Sequence, residues 1–298
     1  MRHFLEVDDL NREELERVLE LAEAEKPPPV LAGLGVALIF EKPSNRTRNS
    51  TEMAVVQLGG HPVTIRGEEI GLGERETVDD VTRVLARYHA LVAARVFDHA
   101  TLELMRRVGE IPVVNLLSDR SHPCQALADL LTLRQHLGRL EGRTVAWVGD
   151  GNNVARSLTL ACAMSGVNVR LASPPGHQLD GLTIEGAVGQ GVSVLSTIDP
   201  VEAVDGADAV YTDVWVSMGE ESEAQQKEDA FAGYQVNETL MAKAAKDAIF
   251  LHCLPAHRGL EVTAAVIDGP ASVVWDQAEN RMHAARGLLW WLAGESGG

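Results

Sequence analysis

Gly35-Val36-Ala37-Leu38-Ile39-Phe40, followed by Glu41-Lys42-Pro43-Ser44-Asn45-Arg46-Thr47-Arg48, decides the fold. Six successive residues without a polar side chain read as a short buried strand, since a half-buried one would alternate apolar and polar positions. Polar residues follow at once and lead into a helical stretch over 51–58. The same strand, polar turn and helix return downstream: strands over 91–96 and 112–115, helices over 101–108 and 125–137. Beyond the connection Gly138-Arg139-Leu140-Glu141-Gly142 the pattern resumes. Strands are expected over 144–148, 167–172, 192–195, 209–212, 248–251 and 272–275, with helices beginning near Val154 and over 200–207. Strands alternating with helices imply an α/β chain of two domains, each a mostly parallel sheet flanked by helices. The expected division is 1–138 and 139–281, with a C-terminal helix over 282–298 returning to the first domain.

The flanks fit this plan. Leu10, Leu15, Val18, Leu19 and Leu21 give an amphipathic helix that ends near Glu25, before Pro27-Pro28-Pro29. Trp290, Trp291 and Leu292 sit on the last helix. The segment 219–233 is acidic, Gln-rich and poor in apolar residues, and reads as a mobile surface loop or lid.

Composition narrows the function classes. The 298 residues carry 26 Lys and Arg against 43 Asp and Glu, a net charge of −17. Such a chain is not built for nucleic acid or an anionic membrane, so an anionic substrate requires a local cluster of Arg and His. No apolar stretch is long enough to span a bilayer. Met1-Arg2-His3-Phe4-Leu5-Glu6 turns charged too soon for a signal peptide. Cys124, Cys162 and Cys253, odd in number and widely spaced, suggest neither a disulfide framework nor a zinc cluster and fit a reducing cytoplasm.

Ligands of open parallel sheets collect at the carboxyl ends of strands. Ser44, Asn45, Arg46, Thr47 and Arg48 lie between a strand and a helix, where free N–H groups, hydroxyls and a guanidinium make a phosphate cradle. An ordinary helix cap with solvated arginines is the alternative. Arg95 ends an apolar strand, where it either snorkels to water or serves a site. His122-Pro123-Cys124-Gln125 opens a helix whose positive end should hold the imidazole neutral, able to donate to a carbonyl oxygen. Taken singly, His122 fits a satisfied structural histidine better. Gly149-Asp150-Gly151-Asn152-Asn153-Val154 is a poor dinucleotide fingerprint, since Val154 replaces the third glycine; its amides suit a carboxylate better. Asp213 closes a strand before Trp215-Val216-Ser217-Met218-Gly219 and suits a cationic amine, or else a turn. Cys253, in His252-Cys253-Leu254-Pro255, reads as a buried thiol or an acyl-transfer nucleophile. Glu279-Asn280-Arg281 opens the last helix.

Together, in this order and over essentially the whole chain, the segments 44–48, 122–125, 213–219, 252–255 and 279–281 with Arg95 resemble the aspartate/ornithine carbamoyltransferase family. The loop 217–219, the segment 149–153 and His252-Cys253-Leu254-Pro255 point to its ornithine branch. The resemblance implies a carbamoyl-phosphate domain and an amino-acid domain, and transfer of the carbamoyl group of carbamoyl phosphate to the side-chain amine of L-ornithine, giving L-citrulline and phosphate. It implies a cytoplasmic homotrimer or multiple of trimers with shared active sites, serving arginine metabolism, with no metal and no organic cofactor. By position, Ser44, Asn45, Arg46 and Thr47 hold phosphate, and Arg95 bridges phosphate and carbonyl. His122, Gln125 and Arg281 contact the carbamoyl group. Asn153, Asp213, Ser217 and Met218 hold ornithine, while Cys253 and Leu254 line the junction of the substrates. Arg95, His122, Cys253 and Arg281 are the expected catalytic set.

Three positions depart from the family pattern. Asn45 stands where Thr is usual, Gly71 where a Gln reaches a neighbouring subunit, and Ser121 where Phe precedes the His-Pro motif. Two other readings stay open on these residues: a carbamoyltransferase for putrescine, lysine or an acylated ornithine, and a regulatory paralogue with little turnover.

Overall fold

A computed structural model describes residues 1–73, 75–216, 222 and 224–295. The chain divides into two compact units, 1–131 with 279–298 and 132–278. Both divisions fall inside helices, Pro123–Leu137 and Val274–Trp290, whereas the sequence suggested the connection at 138–142.

The first unit carries four parallel strands in the order β2-β1-β3-β4: β1 Gly35–Phe40, β2 His61–Arg66, β3 Leu91–Arg95 and β4 Val113–Leu117. β1 and β3 are almost wholly buried, as their unbroken apolar runs require. β2 escaped the sequence reading because it is a half-exposed edge strand containing Pro62 and ending in Arg66. Phe4 adds one parallel bridge to Val114 beside β4. The register slips between Ala94 and Arg95, so Arg95 pairs with Leu117; such slips re-aim a side chain at the rim of a sheet.

The C-terminal helix packs on the N-terminal helix Arg12–Glu23. A Cβ at Gly287 would lie 2.5 Å from Val18 O and 2.7 Å from Ala22 N, so only glycine permits this approach. The buried Arg286 donates to Ala22 O at 2.6 Å, Ala24 O at 2.9 Å and Gln57 Oε1 at 3.0 Å. It thereby closes the open carbonyl end of the N-terminal helix and ties in the helix Asn45–Gln57.

The second unit has five parallel strands in the order β7-β6-β5-β8-β9: β5 Thr144–Val148, β6 Asn168–Ala172, β7 Val194–Thr197, β8 Ala209–Thr212 and β9 Ile249–His252. The connection direction reverses between β5 and β8, and the crevice at their carboxyl ends is where such a sheet takes a ligand. Two expectations fail here. Ser272 makes only a single bridge to Phe250, and the helix Val274–Trp290 starts two residues later, so 272–275 is no strand. A short run such as Val273-Val274-Trp275 cannot be told from a buried helix start by periodicity. In 219–233, Ala224–Phe231 is helical and buries Phe231 and Lys227, so this part is anchored rather than a loose lid. Residues 217–221 and 223, among them Ser217, Met218 and Gly219, lie outside the described residues.

Candidate active site

In the first unit the carboxyl ends of β1, β3 and β4 and the helix Val274–Trp290 bring the expected residues together. Ser44 caps the helix Asn45–Gln57 by accepting from Thr47 N–H at 3.3 Å. That places Thr47 in the first turn, fully buried, and Arg281 Nη2 donates to its hydroxyl at 3.1 Å. The other guanidinium nitrogen of Arg281 donates to Gln125 Oε1, and Gln125 Nε2 donates to Asp129 at 2.8 Å. Thr47, Gln125 and Arg281 thus form one buried bonded set drawn from three helices.

His122 is buried with 5% of its surface exposed, as are Arg95 and Arg281. Burial, then the positive charges of Arg281, Arg95 and Arg46, hold its pKa well below the usual histidine range. The imidazole is neutral, as the sequence reading expected, and the causes are burial and the three guanidiniums. Burial pushes the neighbouring Cys124 thiol up to about 12 despite the opposing pull of Arg281, so it is inert as a nucleophile.

One expected member, Asn45, and the departing position Gly71 stand apart. Asn45 is exposed, and its Oδ1 and carbonyl both accept from Asn49 Nδ2, so its side chain lies along the helix. Gly71 has φ +58, and a Cβ there would lie 2.8 Å from Arg75 Cβ; a glutamine would be strained in this turn. A cavity of about 520 Å³ is lined by Ser44, Asn45, Arg48, Glu52, Thr64 and Arg66 among others. Arg46, Thr47, His122 and Arg281 do not line it.

In the second unit the centre is Asp213, at the end of β8 and 7% exposed. Cys253 Sγ donates to its Oδ1 at 2.9 Å, Val214 N–H donates to the same oxygen at 2.8 Å, and Asn152 Nδ2 donates to Oδ2 at 3.2 Å. Asn152 also caps the helix Asn153–Met164 by accepting from Val154 and Ala155 N–H. The sequence reading singled out Asn153; its neighbour Asn152 donates to Asp213. The turn that carries both passes close to another segment: a Cβ at Gly151 would lie 2.3 Å from Leu179 N. Asp150 is fixed by Lys227, 2.7 Å away and 5% exposed.

Leu254 has φ +58, a conformation that costs a non-glycine residue about 1–3 kcal/mol and clusters at functional sites. Its N–H donates to His252 Nδ1 at 2.8 Å, while His252 Nε2 faces the buried Glu261 at 3.2 Å. Glu261 was missed, and no motif marks it, because its role follows only from the loop's path back to β9. Asp213, His252 and Cys253 place ligand atoms within 4.8 Å of one another. With both His252 nitrogens already engaged, this trio is poorly suited to a metal.

Residues 2–135 match the family model described as aspartate/ornithine carbamoyltransferase, carbamoyl-P binding domain, and residues 141–292 match its Asp/Orn binding domain. The chain is 48% identical to an ornithine carbamoyltransferase of Acidothermus cellulolyticus, covering 100% of this chain and 98% of that protein. It is 49% identical to one of Hyperthermus butylicus, covering 97% and 96%. The solved ornithine carbamoyltransferase of Pyrococcus furiosus superposes with a TM-score of 0.95 at 45% identity, covering 99% and 97%.

Proposed function

The chain belongs to the aspartate/ornithine carbamoyltransferase family, and from this premise we propose that it is an enzyme transferring the carbamoyl group of carbamoyl phosphate to the side-chain amine of L-ornithine. The observation that carries the reading is the convergence of Arg46, Arg95 and Arg281 on a buried, neutral His122. Three guanidiniums gathered this way repel one another and gain from a dianion such as phosphate.

Carbamoyl phosphate pairs a dianionic leaving group with a weakly electrophilic carbonyl. The amine nitrogen bonds to the carbonyl carbon, and the carbonyl oxygen takes up negative charge. Collapse of this intermediate breaks the C–O bond, and the electron pair leaves with phosphate, which can accept the proton shed by the amine. Arg46 and Thr47 bind phosphate; Arg95, His122 and Arg281 stabilise the oxyanion. A neutral imidazole donates one hydrogen bond there without losing its proton. Losing one such donor costs about 100- to 1000-fold in rate. Asp213 pairs with the α-ammonium of ornithine, and Asn152 and Asn153 supply amides for its carboxylate.

The protein is further read as a cytoplasmic homotrimer or multiple of trimers serving arginine metabolism. Met53, Val56, Val84 and Tyr88, 46–71% exposed on helices of the first unit, support association. Sedimentation analysis tests this; an active monomer would refute it.

The acceptor is tested by supplying the pure protein with carbamoyl phosphate and ornithine, putrescine, lysine or N-acetylornithine, and measuring carbamoylated product. Putrescine brings no carboxylate to the amides and no α-ammonium to Asp213, forgoing bonds worth about 1–3 kcal/mol each, so ornithine should lead by at least about tenfold in kcat/KM. Preference for another amine, or no turnover, would overturn the reading.

A further inference from the structure

Asn115 in β4 is fully buried, and it holds the chain on both sides of His122. Its Nδ2 donates to Ser121 Oγ at 2.8 Å and to Leu5 O at 3.0 Å. Its backbone carbonyl accepts from Cys124 Sγ at 3.3 Å. The residue before His122 and the residue two after it are therefore tied to one position of the sheet.

The tie at Ser121 is complete. Its hydroxyl donates to Leu5 O at 3.1 Å, its N–H donates to Ser118 Oγ at 3.3 Å, and its carbonyl accepts from Ser118 N–H at 3.0 Å. Ser118 and Ser121 are both fully buried. Leu5 follows Phe4, whose bridge to Val114 fixes it beside β4. The tie at Cys124 persists at every working pH, since a thiol with a pKa of about 12 keeps its proton.

We infer that Asn115 is a positioning residue for His122, acting through Ser121 and Cys124 to set the imidazole against the carbonyl oxygen of carbamoyl phosphate. The inference rests on the role given to His122 under the proposed function. Its physical reason is mechanical. The turn before a helix is the softest part of a strand-to-helix unit, and a displacement of about 1 Å at a catalytic group can cost about 100-fold. The buried bonds from Asn115 Nδ2 and to its backbone carbonyl hold the turn against such a displacement. The serine at 121 is what makes this network available: a phenylalanine, usual in the family at this position, has no hydroxyl to join Asn115 to Leu5.

The test compares Ser121→Ala, Cys124→Ala and Cys124→Ser in the full-length protein, by kcat and KM for both substrates and by thermal unfolding. Ser121→Ala should lower kcat about tenfold, with KM for ornithine within twofold. Cys124→Ala should lower kcat about threefold or more, and Cys124→Ser, which keeps a donor to Asn115 O, should recover at least half of the parental value. Ser121→Ala placed on His122→Gln should cost nothing further, because the residue it acts through is gone. Parental kcat in both alanine variants, no recovery with serine at 124, or an undiminished loss on the His122→Gln background would overturn the inference. If Ser121→Ala does not fold, the Cys124 pair decides alone. Full activity of His122→Gln itself would remove the role of His122 and the inference with it, a result distinguishable from failure of the clamp alone.

Discussion

Replacing Arg281 by methionine keeps most of the side chain's length and removes its charge and its donors. Two buried hydrogen bonds disappear, to Thr47 Oγ1 and Gln125 Oε1. Each bond from a charged donor is worth about 1.5–3 kcal/mol, so the loss approaches about 3–6 kcal/mol. Against it stands the release of a cation that is 95% removed from solvent, a desolvation cost of several kcal/mol in its own right. The two nearly cancel, so thermal unfolding should shift by no more than a few degrees. Activity has no such compensation. The developing oxyanion loses a preorganised donor, and kcat should fall about 100- to 1000-fold. His122 supplies an independent readout: without Arg281 one of the three charges depressing its pKa is gone, and its pKa should rise, though burial still holds it low. Citrulline formation under saturating substrates measures the first effect, and ring-resonance titration of His122 measures the second. A kcat within threefold of the parent, or a His122 titration that does not move, would refute the assignment of Arg281 to the reacting carbonyl.

Three further outcomes are expected. Gly151→Ala forces a Cβ to within 2.3 Å of Leu179 N and 2.5 Å of Gln178 C, both backbone atoms; displacing the Asn152 turn should raise KM for ornithine about tenfold or more and leave KM for carbamoyl phosphate unchanged in steady-state assays. The pKa of His122 is lowered on folding, so below about pH 6.5 the unfolded chain binds a proton that the native state refuses. Its contribution to stability is lost as pH falls, by up to about 1.4 kcal/mol per pH unit, and urea unfolding between pH 7 and 5 should show a shallower decline in His122→Gln. Arg286→Met leaves the carbonyls of Ala22 and Ala24 without their donor and should lower the unfolding free energy by about 2–4 kcal/mol; an unchanged urea midpoint would show that water replaces the guanidinium there.

Much of this was legible in the sequence, for a physical reason. Strands buried on both faces must be apolar throughout, so β1, β3, β5 and β8 announce themselves, and the sites follow as the polar residues after them. What was hidden depends on partners distant along the chain. β2 is an edge strand with a mixed surface. The helix Ala224–Phe231 looks polar because it buries little beyond Lys227 and Phe231, and Lys227 is buried with Asp150 as a charge partner. Glu261 and Asn115 carry no motif, since they touch the site residues without belonging to the reacting set. Asn152 and Asn153 are adjacent amides at a helix start, and only the backbone of the cap decides that Asn152 turns toward Asp213.

That choice bears on how the acceptor amine can react. A carboxylate beside the attacking nitrogen would stabilise its protonated form, and a side-chain amine with a pKa near about 10.4 is already mostly protonated at neutral pH. Asp213 would therefore slow the reaction if it gripped the nucleophile itself. Its bonds suggest a different division. Oδ1 is occupied by Cys253 Sγ and Val214 N–H, while Oδ2 accepts only from Asn152 among its identified contacts. The acceptor capacity left on Oδ2 suits an α-ammonium, which stays charged throughout transfer and gains from the pairing. The Cys253 thiol, donating to the same carboxylate, shields Oδ1 from the remaining amine. Under the proposed function the carboxylate would recognise the amino acid and the thiol would adjoin the nucleophile. Cys253→Ala, by uncovering Oδ1, should then raise the pH at which kcat reaches half its plateau, whereas a carboxylate acting as general base would give no such alkaline shift.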